Sequence, residues 1–242
     1  MVLSAEEYDN WYNTERGIYI SELEKEILLK MIVPDGISDF GFRISDFKIL
    51  DIGCGTGYFT HFLGDLCKNV IGMDKSLDML TYAMKKHKNQ NIKYLIAQAE
   101  SLPFKDGSFD ISISITSINF FKNPAKAISE AVRVSKIKVF LGVLNKLSIL
   151  SLFKKIKRFL KETSYADACF YSQREITNIF SEFPQIKRVR KRHTYFLPFP
   201  GIHGILSVIE RIIPSSIPFG GFMGITGEIE EIKGVHKCRQ KH

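Results

Sequence analysis

The sequence predicts an α/β fold built on a parallel sheet, and three observations carry that expectation. Short apolar runs of strand length alternate with stretches of helical periodicity, the pattern of βαβ units. A turn with glycines at alternate positions follows the first of those runs, in LDIGCGTGYFT (residues 50–60). No apolar run approaches the ~20 residues that a membrane-spanning helix needs.

Taken in order, residues 15–33 read as a helix. Ile18, Leu23, Ile27 and Met31 recur at intervals of three to five residues, and Pro34-Asp35-Gly36 would end it. The strand candidates are KILDI (48–52), NVIGM (69–73), IKYLIA (92–97), FDISISIT (109–116) and KIKVFLGVL (136–144). Between them, GYFTHFLGDLC, SLDMLTYAMKKH and NPAKAISEAVRV are helix-like. The last opens with Asn123 as N-cap and Pro124 at the first helical position.

Beyond these lie a basic helical insertion (148–162) and a helix opening on the capping box Ser172-Gln-Arg-Glu175. A basic strand candidate (186–196), an apolar helical stretch (202–213) and a glycine-bearing strand candidate (219–229) follow. There is no internal repeat. One domain over 1–242 is the expectation: a helical cap (1–45), a core (46–144), an insertion (145–171) and a C-terminal part completing the sheet (172–242).

The net charge of +8 is uneven. Residues 1–144 carry 17 basic and 18 acidic side chains, and residues 145–242 carry 17 and 8, so the excess lies in the second part. Such an excess suits an anionic partner, or simply a lysine-rich solvated face. Cys54, Cys67, Cys169 and Cys238 are scattered, with neither a CxxC pair nor metal-ligand spacing. That argues against a zinc site and a disulfide framework, and sets a cytoplasmic location as the expectation. The acidic, aromatic start of the chain is unlike a secretory signal.

The glycine turn lies where a doubly wound sheet binds its ligand, at the carboxyl end of the first strand. A dinucleotide fingerprint fails by one residue, because Tyr58 stands where the third glycine belongs, and a Walker turn is absent. Asp51 is a poor neighbour for a pyrophosphate but suits a cationic ligand without phosphate, such as S-adenosylmethionine with its ammonium and sulfonium. A ligand-free turn could use the same glycines. Asp74, ending VIGMD, can accept hydrogen bonds from both ribose hydroxyls. AQAESLPF (97–104) offers N–H groups and Gln98 to an adenine edge, and DGSFD (106–110) turns into the fourth strand candidate.

Together, LDIGCGTGYFT, VIGMDKSLDML, AQAESLPFKDGSFDISIS and NPAKAISEAVRV resemble the successive motifs of class I S-adenosylmethionine-dependent methyltransferases. The likeness covers roughly residues 46–144 and is nearest the small-molecule branch that includes ubiquinone/menaquinone methyltransferases. The segment YDNWYNTERG resembles that family's entry segment. The resemblance implies a Rossmann-like three-layer sandwich with a seven-stranded, mostly parallel sheet, order 3-2-1-4-5-7-6, strand 7 antiparallel. It implies that Asp51, Gly53, Cys54, Gly55 and Gly57 line the methionine end of S-adenosylmethionine. It would put Asp74 on the ribose, Lys75 and Met79 beside the adenosine, Gln98, Ala99 and Glu100 along the adenine, and Thr116 facing the methyl. Two departures stand out. Gln98 replaces the family's usual aspartate, and the proline-glycine-glycine turn before the fifth strand is missing from VRVSKIKVFLGVLN.

Methyl transfer from a sulfonium is an in-line displacement that needs alignment and exclusion of water more than a fixed catalytic set. Where the acceptor needs a general base, His61, His193, Tyr12 and Asp9 are the candidates, with a structural role the alternative for each histidine. The acceptor pocket is expected from the N-terminal segment and the segments after the fourth and fifth strands. These supply Trp11, Tyr12, Tyr19, Asn119, Phe120, Phe121 and Asn145, with no metal. The basic clusters KKIKR (154–158) and KRVRKRH (187–193) keep an RNA acceptor as an alternative. A cofactor-binding regulatory protein without transferase activity is another. The expected assembly is a monomer or homodimer.

Overall fold

The computed structural model describes residues 4–33, 44–148, 151, 168–196 and 212–229. The terminator at 34–36, most of the insertion with its KKIKR cluster, most of 202–213 and Cys238 lie outside the described residues.

Seven strands form one sheet: β1 Lys48–Ile52, β2 Asn69–Asp74, β3 Ile92–Ile96, β4 Phe109–Ile115, β5 Ser135–Leu144, β6 Ile186–Thr194 and β7 Phe222–Ile229. Their order is β3-β2-β1-β4-β5-β7-β6, with β7 antiparallel to both neighbours and the other pairings parallel, as the resemblance implied. The described α-helices are α1 Ala5–Asn10, α2 Glu15–Ile32, α3 Tyr58–Leu66, α4 Leu77–Lys86, α5 Pro124–Val134 and α6 Gln173–Ser181.

Alternation along the strands divides the core into two layers. Ile49, Ile111, Ile113, Phe140 and Phe222 face α2 and α3, burying Leu28, Met31, Ile32, Phe59 and Leu63. Leu50, Ile52, Val139, Leu141, Met223 and Ile225 face the other way, against Ile128, Val132, Ile176 and Phe180 of α5 and α6. The sheet is thus the middle of three layers.

The caps follow the sequence. Asn123 accepts from Lys126 N at 3.0 Å with Pro124 behind it, and Ser172 and Glu175 form both bonds of their capping box. Two expectations shift. Ile18 is 51% exposed, so the inner stripe of α2 runs instead through Ile20, Ile27 and Met31. The fifth strand starts at Ser135, directly after α5. The Ser135 hydroxyl donates to Ala131 O at 2.6 Å and bonds Ser112 Oγ at 2.8 Å, tying helix end to sheet without a glycine turn.

Candidate cofactor and acceptor site

The glycine turn crosses from β1 to α3 with Gly53, Gly55 and Gly57 all in the left-handed region, at φ of 73°, 54° and 79°. A Cβ on Gly53 or Gly57 would strike protein, Ser117 Cβ at 2.6 Å in one case and Tyr94 Oη at 2.5 Å in the other. On Gly55 a Cβ would meet only Tyr8 Cε1, at an ordinary contact distance of 3.9 Å, so of the three this glycine alone has no clash on that side. The turn is held from below by Met73 O, which accepts from Gly53 N at 2.8 Å and Cys54 N at 2.9 Å.

Asp51 is buried beneath this turn. Its carboxylate accepts one short bond, 2.6 Å from the Thr60 hydroxyl. Burial pushes its pKa up to about 7, against the Thr60 bond and with help from the charge of Asp74. A carboxyl so placed is stabilised in its ionised form by an arriving cation. Cys54 shares this environment, its thiol pKa pushed up by burial and by the charges of Asp51 and Asp74.

Asp74 ends β2 with Oδ2 accepting from Gly55 N and Oδ1 from Ser76 N, each at 2.9 Å. Every carboxylate oxygen has a second lone pair, so both remain able to accept from a vicinal diol. Lys75 is exposed and Met79 half-buried at the start of α4. After β3, Ala97 N donates to Asp74 O at 3.1 Å, which draws the exposed Gln98 and buried Ala99 to the same end of the sheet. Glu100 is otherwise engaged, accepting from Lys122 N and Asn123 N at 3.1 and 3.3 Å ahead of α5. Thr116 follows β4 at φ 56°, a left-handed threonine that holds about 1–3 kcal/mol of strain. Next to it, Ser117 Oγ reaches Ile52 O at 2.8 Å and joins the ends of β1 and β4.

The N-terminal cap closes over this end. Tyr12 stacks on Tyr58 at 3.8 Å and 7°, with Trp11 and Tyr8 edge-on to Tyr12. Tyr58 Oη also meets Ser21 Oγ of α2 at 2.9 Å. Asp9 is buried and bound by Lys86 Nζ and Tyr82 Oη, so its carboxylate pins α1 onto α4. Tyr19 packs beside Ile20, Leu23 and Tyr195.

Of the other acceptor-side residues, Asn119 bonds Cys169 O and Leu144 N, and Asn145 bonds Pro218 O and Gly220 O. Both amides therefore brace loops. Phe120 is 40% exposed, and Phe121 packs against the core. His193 is buried on β6, with Nε2 at 3.1 Å from Gln173 Oε1 and Nδ1 without a partner; burial lowers its pKa to about 4. His61 lies on α3 against the ring of His87, 4.3 Å between centroids.

Reading the sequence missed Tyr8, Tyr94 and Glu24. Tyr94 Oη and Thr56 Oγ1 are both buried without a hydrogen-bond partner beside the turn. Glu24 is 5% exposed on the inner face of α2, a carboxyl in an otherwise apolar stripe. Its signal in the sequence, a carboxyl among Ile20, Ile27 and Met31 at helical spacing, stays hidden while Ile18 is read into the inner stripe.

This geometry suits a nucleoside-bearing cation without phosphate, at the carboxyl ends of the parallel strands. The comparisons agree. Residues 50–143 match the family model described as a methyltransferase domain. An uncharacterized protein of Methanocaldococcus jannaschii is 33% identical over 93% of this chain and 96% of its own length. A malonyl-[acyl-carrier protein] O-methyltransferase of Pectobacterium atrosepticum is 33% identical, over 38% of this chain and 36% of that one. Among solved structures, a SAM-dependent methyltransferase of Thermotoga maritima, named a possible histamine N-methyltransferase, is 26% identical. It superposes with a TM-score of 0.71 over 93% of this chain and 96% of its own. The chain belongs to the class I S-adenosylmethionine-dependent methyltransferases.

The residues present fit that cofactor. Asp51 is a buried carboxyl with a single donor, Gly55 has no clash on its Tyr8 side, and Asp74 keeps acceptor capacity at the end of β2. Among the described residues, no group of His, Cys, Asp or Glu is arranged to hold a metal, and no helix is long and apolar enough to cross a membrane.

Proposed function

We propose that the protein transfers a methyl group to a small molecule held between the glycine turn and the tyrosine-lined cap. The observation that carries this reading is the placing of Tyr8 Cε1 3.9 Å from where a Cβ on Gly55 would stand. Donor turn and cap thus meet at one point. S-adenosylmethionine supplies an electrophilic methyl on a sulfonium. In this reading Asp51 answers the ammonium, Asp74 the ribose hydroxyls, and Gln98 with Ala99 the adenine edge. Thr116, fixed at the end of β4, orients the acceptor side, and the rings of Tyr8, Tyr12 and Tyr58 exclude water and favour a cation nearby. One relative is named a malonyl-[acyl-carrier protein] O-methyltransferase and one neighbour a possible histamine N-methyltransferase, names that support an acceptor other than nucleic acid.

A nucleic-acid acceptor draws on the basic residues of β6. That strand lies at the edge of the sheet, two strands beyond β5, with Arg190 3.5 Å from Glu228 and Arg192 bonded to Ser215. Nothing in its placing directs it to Gly55. The test is a metabolite extract incubated with methyl-labelled cofactor. Label in a small molecule is the expected result; label confined to added tRNA would reject the reading.

A further inference from the structure

Residues 97–108 join β3 to β4 without a helix, so their backbone groups must find partners elsewhere. Two side chains near the end of α5 supply several of them. Glu130 Oε2 accepts from Leu102 N at 2.8 Å, while Arg133 donates from Nη2 to Leu102 O at 3.1 Å and from Nη1 to Phe104 O at 2.7 Å. The two side chains also grip each other, Nε to Oε1 at 2.8 Å and Nη2 to Oε2 at 2.7 Å, and Nη1 reaches Asp106 at 2.8 Å. Ahead of α5, Glu100 accepts from Lys122 N and Asn123 N. The segment is thereby fastened to both ends of one helix.

A plain connection does not need this. Glu130 is 7% exposed, and taking its carboxylate out of water has a cost that a leucine would avoid. The hydrogen bonds from Arg133 hold that carboxyl below the usual carboxylate range, so the pair is charged at neutral pH. What the pair fixes leads back to the donor turn. Gly55 N donates to Asp74 Oδ2, Ala97 N donates to Asp74 O, and Ser101 N closes a turn on Gln98 O at 3.1 Å, immediately before Leu102. Hydrogen bonds and peptide links thus run unbroken from Gly55 to Arg133. Gln98, exposed, and Ala99, buried, belong to that turn, and they are the residues read above along the adenine edge.

We propose that Glu130 and Arg133 are positioning residues for the base of the cofactor. They hold residues 98–102 in the shape that receives adenine before the cofactor arrives, and so set the preference for a donor that carries the base. The inference rests on the reading of S-adenosylmethionine at the glycine turn and concerns its adenine end alone.

The experiment compares two probes on the full chain by calorimetry, directly or in competition. One is S-adenosylhomocysteine; the other is S-ribosylhomocysteine, which has the same homocysteine and ribose but no base. Arg133→Lys keeps the charge and loses the planar fork. It should weaken S-adenosylhomocysteine about tenfold, because ordering 98–102 then falls to the ligand, and change S-ribosylhomocysteine less than about twofold. Glu130→Gln keeps an acceptor for Leu102 N and should shift the same ratio in the same direction by about threefold. Equal losses for both probes, as a merely structural role would give, overturn the inference, and so does an unchanged ratio. Hydrogen exchange on the ligand-free parent tests it without a variant. The amides of Ser101 and Leu102 should be protected before any cofactor is added, and fast exchange there overturns the inference. A parent that binds S-adenosylhomocysteine no better than S-ribosylhomocysteine removes the adenine assignment and this inference with it. A parent that binds neither removes the methyltransferase reading itself, which separates the two failures.

Discussion

The donor and acceptor sides of the site meet the same backbone demand with different residues. On the donor side the left-handed positions are Gly53, Gly55 and Gly57, where positive φ carries no side-chain penalty. On the acceptor side they are Thr116 at φ 56° and Tyr195 at φ 61°, where it does. Hydrogen bonding divides differently. Asp74 is satisfied within its own loop by Gly55 and Ser76, yet Tyr94 Oη and Thr56 Oγ1 lie buried without a partner beside the glycine turn. Backbone strain therefore sits on the acceptor side, and unmet hydrogen-bonding capacity on the donor side.

The harshest way to test the donor side is to remove its ribose acceptor. Asp74→Ala should weaken S-adenosylhomocysteine binding by well over tenfold, from the loss of charged hydrogen bonds of roughly 1.5–3 kcal/mol. The loss should be visible by calorimetry. The variant also frees Gly55 N and Ser76 N, so circular dichroism and melting should accompany the titration. An unchanged affinity in a folded variant would reject the ribose role.

A smaller effect tests Asp51, which is buried with a pKa raised to about 7. A raised carboxyl pKa favours the folded, ligand-free protein most below the ordinary aspartate range, near 3.8, and that contribution is lost as pH rises through about 7. A cationic ligand prefers the ionised carboxylate, so its affinity should move the other way. Cofactor affinity should fall as pH drops below 7, approaching about tenfold per unit. Asp51→Asn should bind weakly and lose that pH dependence between 5 and 7. A parent profile that is flat across this range would mean that Asp51 does not face the charge of the ligand.

What the sequence disclosed follows the same division. The donor side was legible because its parts are contiguous: a glycine needed for φ is visible as a glycine, and Asp74 ends a strand that its own hydrophobicity marks. The sheet order came from resemblance, since local patterning says nothing about which strands pair. The start of β5 was obscure because Ser135 makes the turn with a hydroxyl instead of a glycine. Thr116 gives no sign in sequence of its backbone, which depends on β4 meeting β5 at Gly142 O and on the turn after it. Tyr94 was hidden because its phenol reaches the glycine turn from two strands away. Glu24 had a signal, a carboxyl in an apolar helical stripe, but that stripe is recognisable only once Ile18 is known to face outward.

The smallest expected effect concerns a residue that chemistry makes attractive and position does not. His61 lies on α3 with its ring 4.3 Å from His87, which follows the C-terminal end of α4, and Nδ1 3.9 Å from Asp65. His87 has its pKa lowered to about 4, chiefly by burial and next by the His61 ring, so the pair belongs to the packing of two helices. Neither imidazole is bonded to any residue of the glycine turn or the cap. His61→Ala should therefore leave cofactor affinity and turnover within about twofold, the scale of a substitution away from buried networks. It should also relieve His87 of its like-charged neighbour and raise the His87 pKa, measurable by NMR titration. A tenfold fall in turnover at unchanged melting temperature would bring His61 into the chemistry and erase the contrast between a histidine that is merely present and two acids, Asp51 and Asp74, that hydrogen bonds hold in place at the glycine turn.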